Sequence, residues 1–315
     1  MTVKSCRSAF MHEVLFYESN EEFLDGTVPL VRAGMEAGGC SLIAVGEDQT
    51  ALLRAELGGE AENVAFLEME RVGRNPARII DVWRDFLDRT ASVSGPLLGI
   101  GEPVWPGRDA TELDECRRHE SLLNMAFDGT REWSLLCPYD SAALDDDVLE
   151  AARQSHPHVV SGGTVVESPG WRGSPSGYKP FSGKLPEPPR QARKLVFGKD
   201  ELASVRRAIE AEADGALSGD QRFAMVIAVN ELAANSTMHG GGSGTLHLWR
   251  EPAALVAEVG DEGWIEEPLT GRLRPLPDQQ RGRGLWMVNQ LCDLVQIRSG
   301  PEGTRVRVRI RIGLE

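Results

Sequence analysis

Between residues 304 and 312, apolar and cationic side chains alternate. Val306, Val308, Ile310 and Ile312 interleave with Arg305, Arg307, Arg309 and Arg311. Successive side chains of a strand point to opposite faces, so this segment predicts a strand with one face in a core and one in water. That is the pattern of a sheet covered by helices on one side only. Upstream the pattern differs. Apolar runs at 12–17, 40–46, 64–69, 96–101 and 133–139 read as buried strands, and amphipathic stretches at 21–37, 48–57, 76–91, 112–127 and 145–154 read as helices. Ser19 followed three places on by Glu22 supplies a capping box for the first helix. Five strand–helix alternations predict an α/β fold, a doubly wound and mostly parallel sheet covered on both faces.

From residue 192 the order changes. A strand at 192–197 and a helix at 199–213 precede a longer helix at 218–240, which has its own capping box (Ser218, Gln221) and a glycine stop at Gly240-Gly241-Gly242. Strands at 245–250 and 255–261, a helix at 284–292 and strands at 293–299 and 304–312 complete a two-layer α/β sandwich. Between the two patterns, residues 161–190 hold six Gly, six Pro and five Ser. Such a stretch cannot build a core, and it reads as a linker. The expected division is a domain over 7–160, a linker over 161–190 and a domain over 191–313.

Charge sharpens the division. Of 34 basic and 48 acidic side chains, a net of −14, residues 1–160 carry 14 and 29 while residues 161–315 carry 20 and 19. An acidic first half disfavours direct contact with DNA. No apolar run is long enough for a membrane span, and no signal peptide is evident at the N-terminus. Five scattered cysteines without a CxxC pair point to neither a disulfide frame nor a zinc site, but to a reducing cytoplasm. The six histidines show no zinc-like spacing, and His239 reads as a cation at a helix end. The Gly/Pro/Ser stretch excludes the long helical hairpin that a phosphoaccepting histidine kinase needs before its ATP domain.

Four segments of the second domain carry candidate chemistry. Glu231 and Asn235 are four apart, on one face of a helix. The Asn amide oxygen is a hard, neutral ligand suited to Mg²⁺, and the carboxylate suits accepting a proton from an attacking hydroxyl. Asp261 and Gly263 end a strand, where a carboxylate accepts from an exocyclic amine and glycine lets a flat base approach. Arg281-Gly282-Arg283-Gly284 opens a helix, whose free N–H groups favour phosphate. Thr304, after Gly303, adds a contact on the base side. Taken singly each feature is weak: an exposed Glu/Asn pair is usually a solvated helix face, a DxG normally a turn, and a GxG before a helix often only tight packing.

In order and spacing the combination resembles the GHKL ATPase superfamily, with an N-box at Glu231 and Asn235, a first glycine box at Asp261 and Gly263, a lid over 264–280 and a second glycine box at Gly282 and Gly284. Within it, ELAANSTMHG and RGRGLWMVNQLCD look most like bacterial anti-sigma-factor serine kinases. The resemblance implies ATP and Mg²⁺ as cofactors, Glu231 as the catalytic base, Asn235 as the Mg²⁺ ligand and Asp261 as the adenine reader. It also implies an anti-anti-sigma (STAS-type) protein or a sigma factor as partner. The usual DxGxG is altered, since Trp264 and Ile265 follow Gly263. This leaves open an adaptor that binds its partner with nucleotide structural or absent. In the first domain, His12–Tyr17 (HEVLFY), Arg118–Asn124 (RHESLLN) and Cys137-Pro138-Tyr139-Asp140 resemble a MEDS sensory domain, which implies a RecA-like fold and a small organic ligand. The expectation is a cytoplasmic sensor-regulator, with room for a homodimer.

Overall fold

The computed structural model describes residues 10–173, 180–276 and 282–313. The chain divides into two units, Met1–Tyr178 and Lys179–Glu315. The first contains β1 (Phe10–Tyr17), α1 (Asn20–Glu36), β2 (Cys40–Val45), α2 (Glu47–Leu57), β3 (Ala65–Glu68), α3 (Met69–Val72), α4 (Ile79–Arg89), β4 (Leu97–Gly101), α5 (Ala110–Ala126), β5 (Trp133–Asp140), α6 (Asp146–Ser155), β6 (His158–Ser161) and β7 (Thr164–Glu167). Its sheet runs β3-β2-β4-β5-β1-β6-β7, parallel except for β7.

Strand β1 lies between β5 and β6 and is buried almost throughout, which explains its nearly continuous apolar run. Its alternate side chains serve two layers. Leu15 and Tyr17 join Phe23, Val28 and Val31 of α1 and Leu53 of α2, while Phe10 stacks on Trp133 and on the imidazole of His12. Trp83 of α4 reaches the same Trp133. Two glycines of β4 make room for that indole: a Cβ at Gly101 would sit 2.6 Å from Trp83, and one at Gly99 3.1 Å from it. At the start of α1, Ser19 accepts from the Glu22 amide as expected, but the Glu22 carboxylate reaches back to the Glu18 amide.

Residues 161–190 are not featureless. β7 pairs antiparallel with β6 across a two-residue turn, Gly162-Gly163, with both φ positive at 55° and 73°. This is the glycine-dependent hairpin turn whose twist matches the flanking strands. The β-branched Thr164, Val165 and Val166 carry the strand propensity that the surrounding Gly, Pro and Ser concealed.

The second unit contains β8 (Arg193–Gly198), α7 (Leu202–Ala213), α8 (Gly219–His239), β9 (Ser243–Glu251), β10 (Ala254–Asp261), α9 (Arg283–Leu291), β11 (Leu294–Gly300) and β12 (Gly303–Arg311). Its antiparallel sheet runs β11-β12-β10-β9-β8. Val306, Val308 and Ile310 of β12 pack with Val205 and Ile209 of α7, Met225, Val229 and Leu232 of α8, and Val288 of α9. Each such aliphatic side chain contributes roughly 1.5–3 kcal/mol by leaving water. The cationic face of β12 is an ion-pair ladder rather than a bare basic surface. Arg307 binds the buried Glu258 at 2.6 Å, Arg305 binds Glu187 at 3.0 Å, and Arg309 binds Glu251 at 2.9 Å. Among the described residues no helix is long and apolar enough to cross a membrane.

Candidate functional site

Helix α8 begins with the reciprocal capping box between Ser218 and Gln221 and stops at Gly240. Its last two and a half turns carry Glu231, Asn235 and Ser236 towards the end of β10 and the start of α9. A Cβ at Gly284 would stand 3.0 Å from Glu231 Oε2 and 3.4 Å from Asn235 Nδ2. The glycine is therefore what lets the N-terminal turn of α9 approach the two polar side chains of α8. Gly282 is the left-handed N-cap of that helix, and Arg283 opens it. Arg281, expected beside them, lies outside the described residues, as do residues 277–280 of the expected lid.

Asp261, the last residue of β10, is held by two donors. Ser236 Oγ donates to Oδ2 at 2.6 Å, and the Gly263 amide donates to Oδ1 at 2.8 Å. Gly240 leaves the necessary space, because a Cβ there would lie 2.4 Å from the Asp261 carboxyl carbon. Beyond it runs a directed series of hydroxyl bonds. The Ile265 amide donates to Ser299 Oγ at 2.8 Å, Ser299 lies 2.7 Å from Thr304 Oγ1, and Thr304 donates to the Gly263 carbonyl at 2.8 Å. Since Thr304 spends its proton on a carbonyl, Ser299 must donate to Thr304. Thr304, expected as a base contact, thus braces the backbone of the acidic turn. Gly303 completes it with φ +108°, at a point where a Cβ would meet the Asp261 carbonyl at 2.2 Å. Only glycine adopts that backbone so close to another strand.

The described part of the expected lid, residues 264–276, is tied to α9. The buried Asn289 amide donates to the Gly271 carbonyl at 2.8 Å, and the Arg274 guanidinium stands 5.7 Å from the centre of the Trp286 ring. Glu231, Asn235 and Asp261 are all partly exposed. The fold therefore joins Glu231, Asn235 and Gly284 into one group, and Asp261, Gly263 and Thr304 into a second, linked through Ser236 on the same helix.

The first unit holds a polar cluster that sequence spacing did not reveal. His12 of β1, Glu120 of α5, Cys137 of β5 and His156 at the end of α6 are buried, with one ligand-type atom from each lying within 4.8 Å of the others. Burial together with the neighbouring His156 lowers the His12 pKa to about 4, so this imidazole is neutral near pH 7. Burial drives the Cys137 thiol well above its ordinary value. The signal available in the sequence was the presence of His12 and Glu13 inside an otherwise apolar strand, where a buried polar group needs a partner.

Residues 11–157 match the MEDS family, described as a methanogen/methylotroph, DcmR sensory domain, and residues 197–310 match the histidine kinase-like ATPase domain family. No curated protein matches the chain. Among solved structures, the RsbU and RsbW domains of a Mycobacterium tuberculosis protein align with 18% identity and a TM-score of 0.29 over 38% of this chain and 32% of that one. The chain thus aligns with about a third of that structure's length. The Acinetobacter baumannii histidine kinase AdeS aligns with 13% identity and a TM-score of 0.24 over 39% of this chain and 70% of that one. With a parallel α/β unit where the first family matches and an antiparallel, one-sided sandwich where the second does, the chain joins a MEDS domain to a GHKL-type, histidine kinase-like ATPase domain.

Proposed function

We propose that the second unit binds Mg·ATP and phosphorylates a serine on an anti-anti-sigma, STAS-type protein, so that a sigma factor is released or held by partner switching. In this proposal the first unit is the sensory input, taking a small organic ligand, and the protein works in the cytoplasm. The observation that carries the reading is the approach of the α9 N-terminus to Glu231 and Asn235 through the cleared position at Gly284. A proton acceptor, a neutral oxygen ligand and a helix N-terminus are the three parts that transfer of a phosphoryl group asks of a protein.

The residues fit the nucleotide and its metal. ATP, when bound, supplies the transferable γ-phosphoryl, with its charge neutralised by Mg²⁺. Asn235 Oδ1 would hold the metal. Glu231 would take the proton of the serine hydroxyl at its carboxylate. The N-terminal end of α9, which Arg283 opens, would bind phosphate oxygens, and Arg281 is proposed to join it there. Asp261, fixed by Ser236 and Gly263, would accept from the exocyclic amine of adenine, with Gly263 and Thr304 shaping the turn beneath the base. Catalysis of this kind rests on positioning and electrostatics.

One observation favours the adaptor reading, in which the partner is bound without transfer. Ile265 stands where the superfamily has a second glycine; it packs against the core, and its amide is committed to Ser299. A single experiment separates the two. The full chain is incubated with labelled ATP, Mg²⁺ and a STAS-type protein. Serine labelling that falls about 10²–10⁴-fold in Glu231→Ala supports the base role, and its loss in Asn235→Ala supports the metal role. Complex formation without labelling establishes the adaptor. Absence of any calorimetric heat with Mg·ATP removes the nucleotide from the account.

A further inference from the structure

We infer that His12, Glu120, Cys137 and His156 form a closed binding site for one borderline-soft divalent cation of the zinc class inside the first unit. Hydrogen-bond partners fix the tautomers of both histidines. His156 Nδ1 lies 2.8 Å from the Ala152 carbonyl, which only accepts, so Nδ1 carries the hydrogen. The Asn124 amide nitrogen donates to the Ser155 carbonyl at 2.9 Å, which turns Asn124 Oδ1 towards His12 Nδ1 at 3.2 Å and fixes the hydrogen there too. In the neutral rings both Nε2 atoms therefore present lone pairs. Both face the same carboxylate oxygen, Glu120 Oε2, each at 3.2 Å.

Three lone-pair-bearing atoms cannot converge in a dry site without positive charge between them. Two extra protons would make two imidazoliums whose ring centres are 4.0 Å apart, with one carboxylate to offset them and no exposure to water. Burying an excess charge in this way is costly. A single cation satisfies every donor at once. Cys137 Sγ completes the set, 3.5 Å from His12 Nε2 and 3.9 Å from Glu120 Oε2. For zinc bond lengths of about 2.0–2.1 Å to N or O and about 2.3 Å to S, tetrahedral geometry puts ligand atoms roughly 3.3 Å apart, or roughly 3.6 Å where sulfur is involved. Four of the six edges, at 3.2, 3.2, 3.5 and 3.9 Å, lie within about 0.3 Å of those lengths, and the remaining two are no longer than 4.8 Å, so a small inward movement of His156 would close the set.

The donor types choose the metal. Two imidazoles, a thiolate and a carboxylate suit Zn²⁺ and its spectroscopic substitute Co²⁺, and not Mg²⁺ or Ca²⁺, which take oxygen. The hydrogen bonds from both Nδ1 atoms are the outer support that metal-bound histidines use to fix ring orientation. With four protein donors no position is left for a reacting water, so the cation would clamp β1, β5, α5 and the end of α6 together. The site stands independently of the nucleotide reading.

The test uses the full-length chain. Metal analysis after purification is expected to find about one zinc per chain. Co²⁺ added to chelator-stripped protein is expected to give a thiolate-to-cobalt absorption band that is absent in Cys137→Ser, an isosteric change chosen to preserve folding. Asn124→Ala removes no donor and is expected to weaken Zn²⁺ binding about 10–100-fold. Stripping should lower the unfolding midpoint of the wild-type protein, and Zn²⁺ should restore it. A folded wild-type chain that contains no metal, gives no Co²⁺ band and keeps its midpoint when Zn²⁺ is added would overturn the site in favour of a protonated cluster.

Discussion

The two polar assemblies of this chain are built on opposite principles. In the first unit, His12, Glu120, Cys137 and His156 sit in the packed interior, the histidines at 0% exposure and Glu120 at 2%. In the second, Glu231, Asn235 and Asp261 line a partly exposed rim where a helix, a strand end and a helix start meet. A dry cluster is governed by charge balance, because each unpaired group there costs its full desolvation. A wet rim is governed by placement, because water compensates any single charge while backbone and hydroxyl braces decide where the groups point.

That contrast is sharpest when one carboxylate is removed from each. Glu120→Ala leaves the two buried imidazoles without their common partner and is expected to cost about 3–5 kcal/mol of stability. Asp261→Ala is expected to cost far less stability while abolishing nucleotide binding. Parallel thermal melts and ATP titrations of the two variants check this, and equal losses of stability would erase the distinction.

A second carboxylate of the first unit tests the same rule through pH. Glu102 follows β4 and accepts from the Tyr17 hydroxyl at 2.7 Å. Burial raises its pKa to about 7, against the opposing hydrogen bonds from Tyr17 and the Gly46 backbone. A raised acid favours the protonated folded form. Stability is thus unaffected below the unfolded value and falls as pH climbs towards 7. Glu102→Gln is expected to match the wild type at pH 4 and to exceed it by about 3 kcal/mol at pH 8. Urea melts across that range read the difference, and parallel curves would contradict it. The smallest change belongs to the rim. Ser236→Ala removes the 2.6 Å brace on Asp261 and is expected to cost about 1.5 kcal/mol, with ATP affinity falling more than stability does.

The difference between the assemblies also explains what could be read in advance. Glu231 and Asn235 share one helix, Asp261 and Gly263 one turn, and Gly282 and Gly284 one helix start, so each pair carries a local signature and their order does the rest. The alternation in β12 and the capping box at Ser218 were legible for the same reason, since both are short-range patterns. The metal-type cluster has no such locality. Cys137 is 17 residues from Glu120 and 125 from His12, and only the pairing of β1 with β5 brings them together. The role of Thr304 was hidden because it depends on a hydroxyl of Ser299 across the hairpin. β7 was hidden by its surroundings, a β-branched run framed by residues that discourage strands.

Strand β12 lies between β10 and β11, and Thr304 pairs with Asp261 across that ladder. During translation the emerging chain would therefore hold β8, β9 and β10 beside a missing neighbour until residues 303–311 leave the ribosome. The acidic turn at Asp261 gains its Gly303 and Thr304 supports only then. On the proposed function, nucleotide capture by a nascent chain thus waits for β12, whereas the described strands of the first unit have all emerged by then.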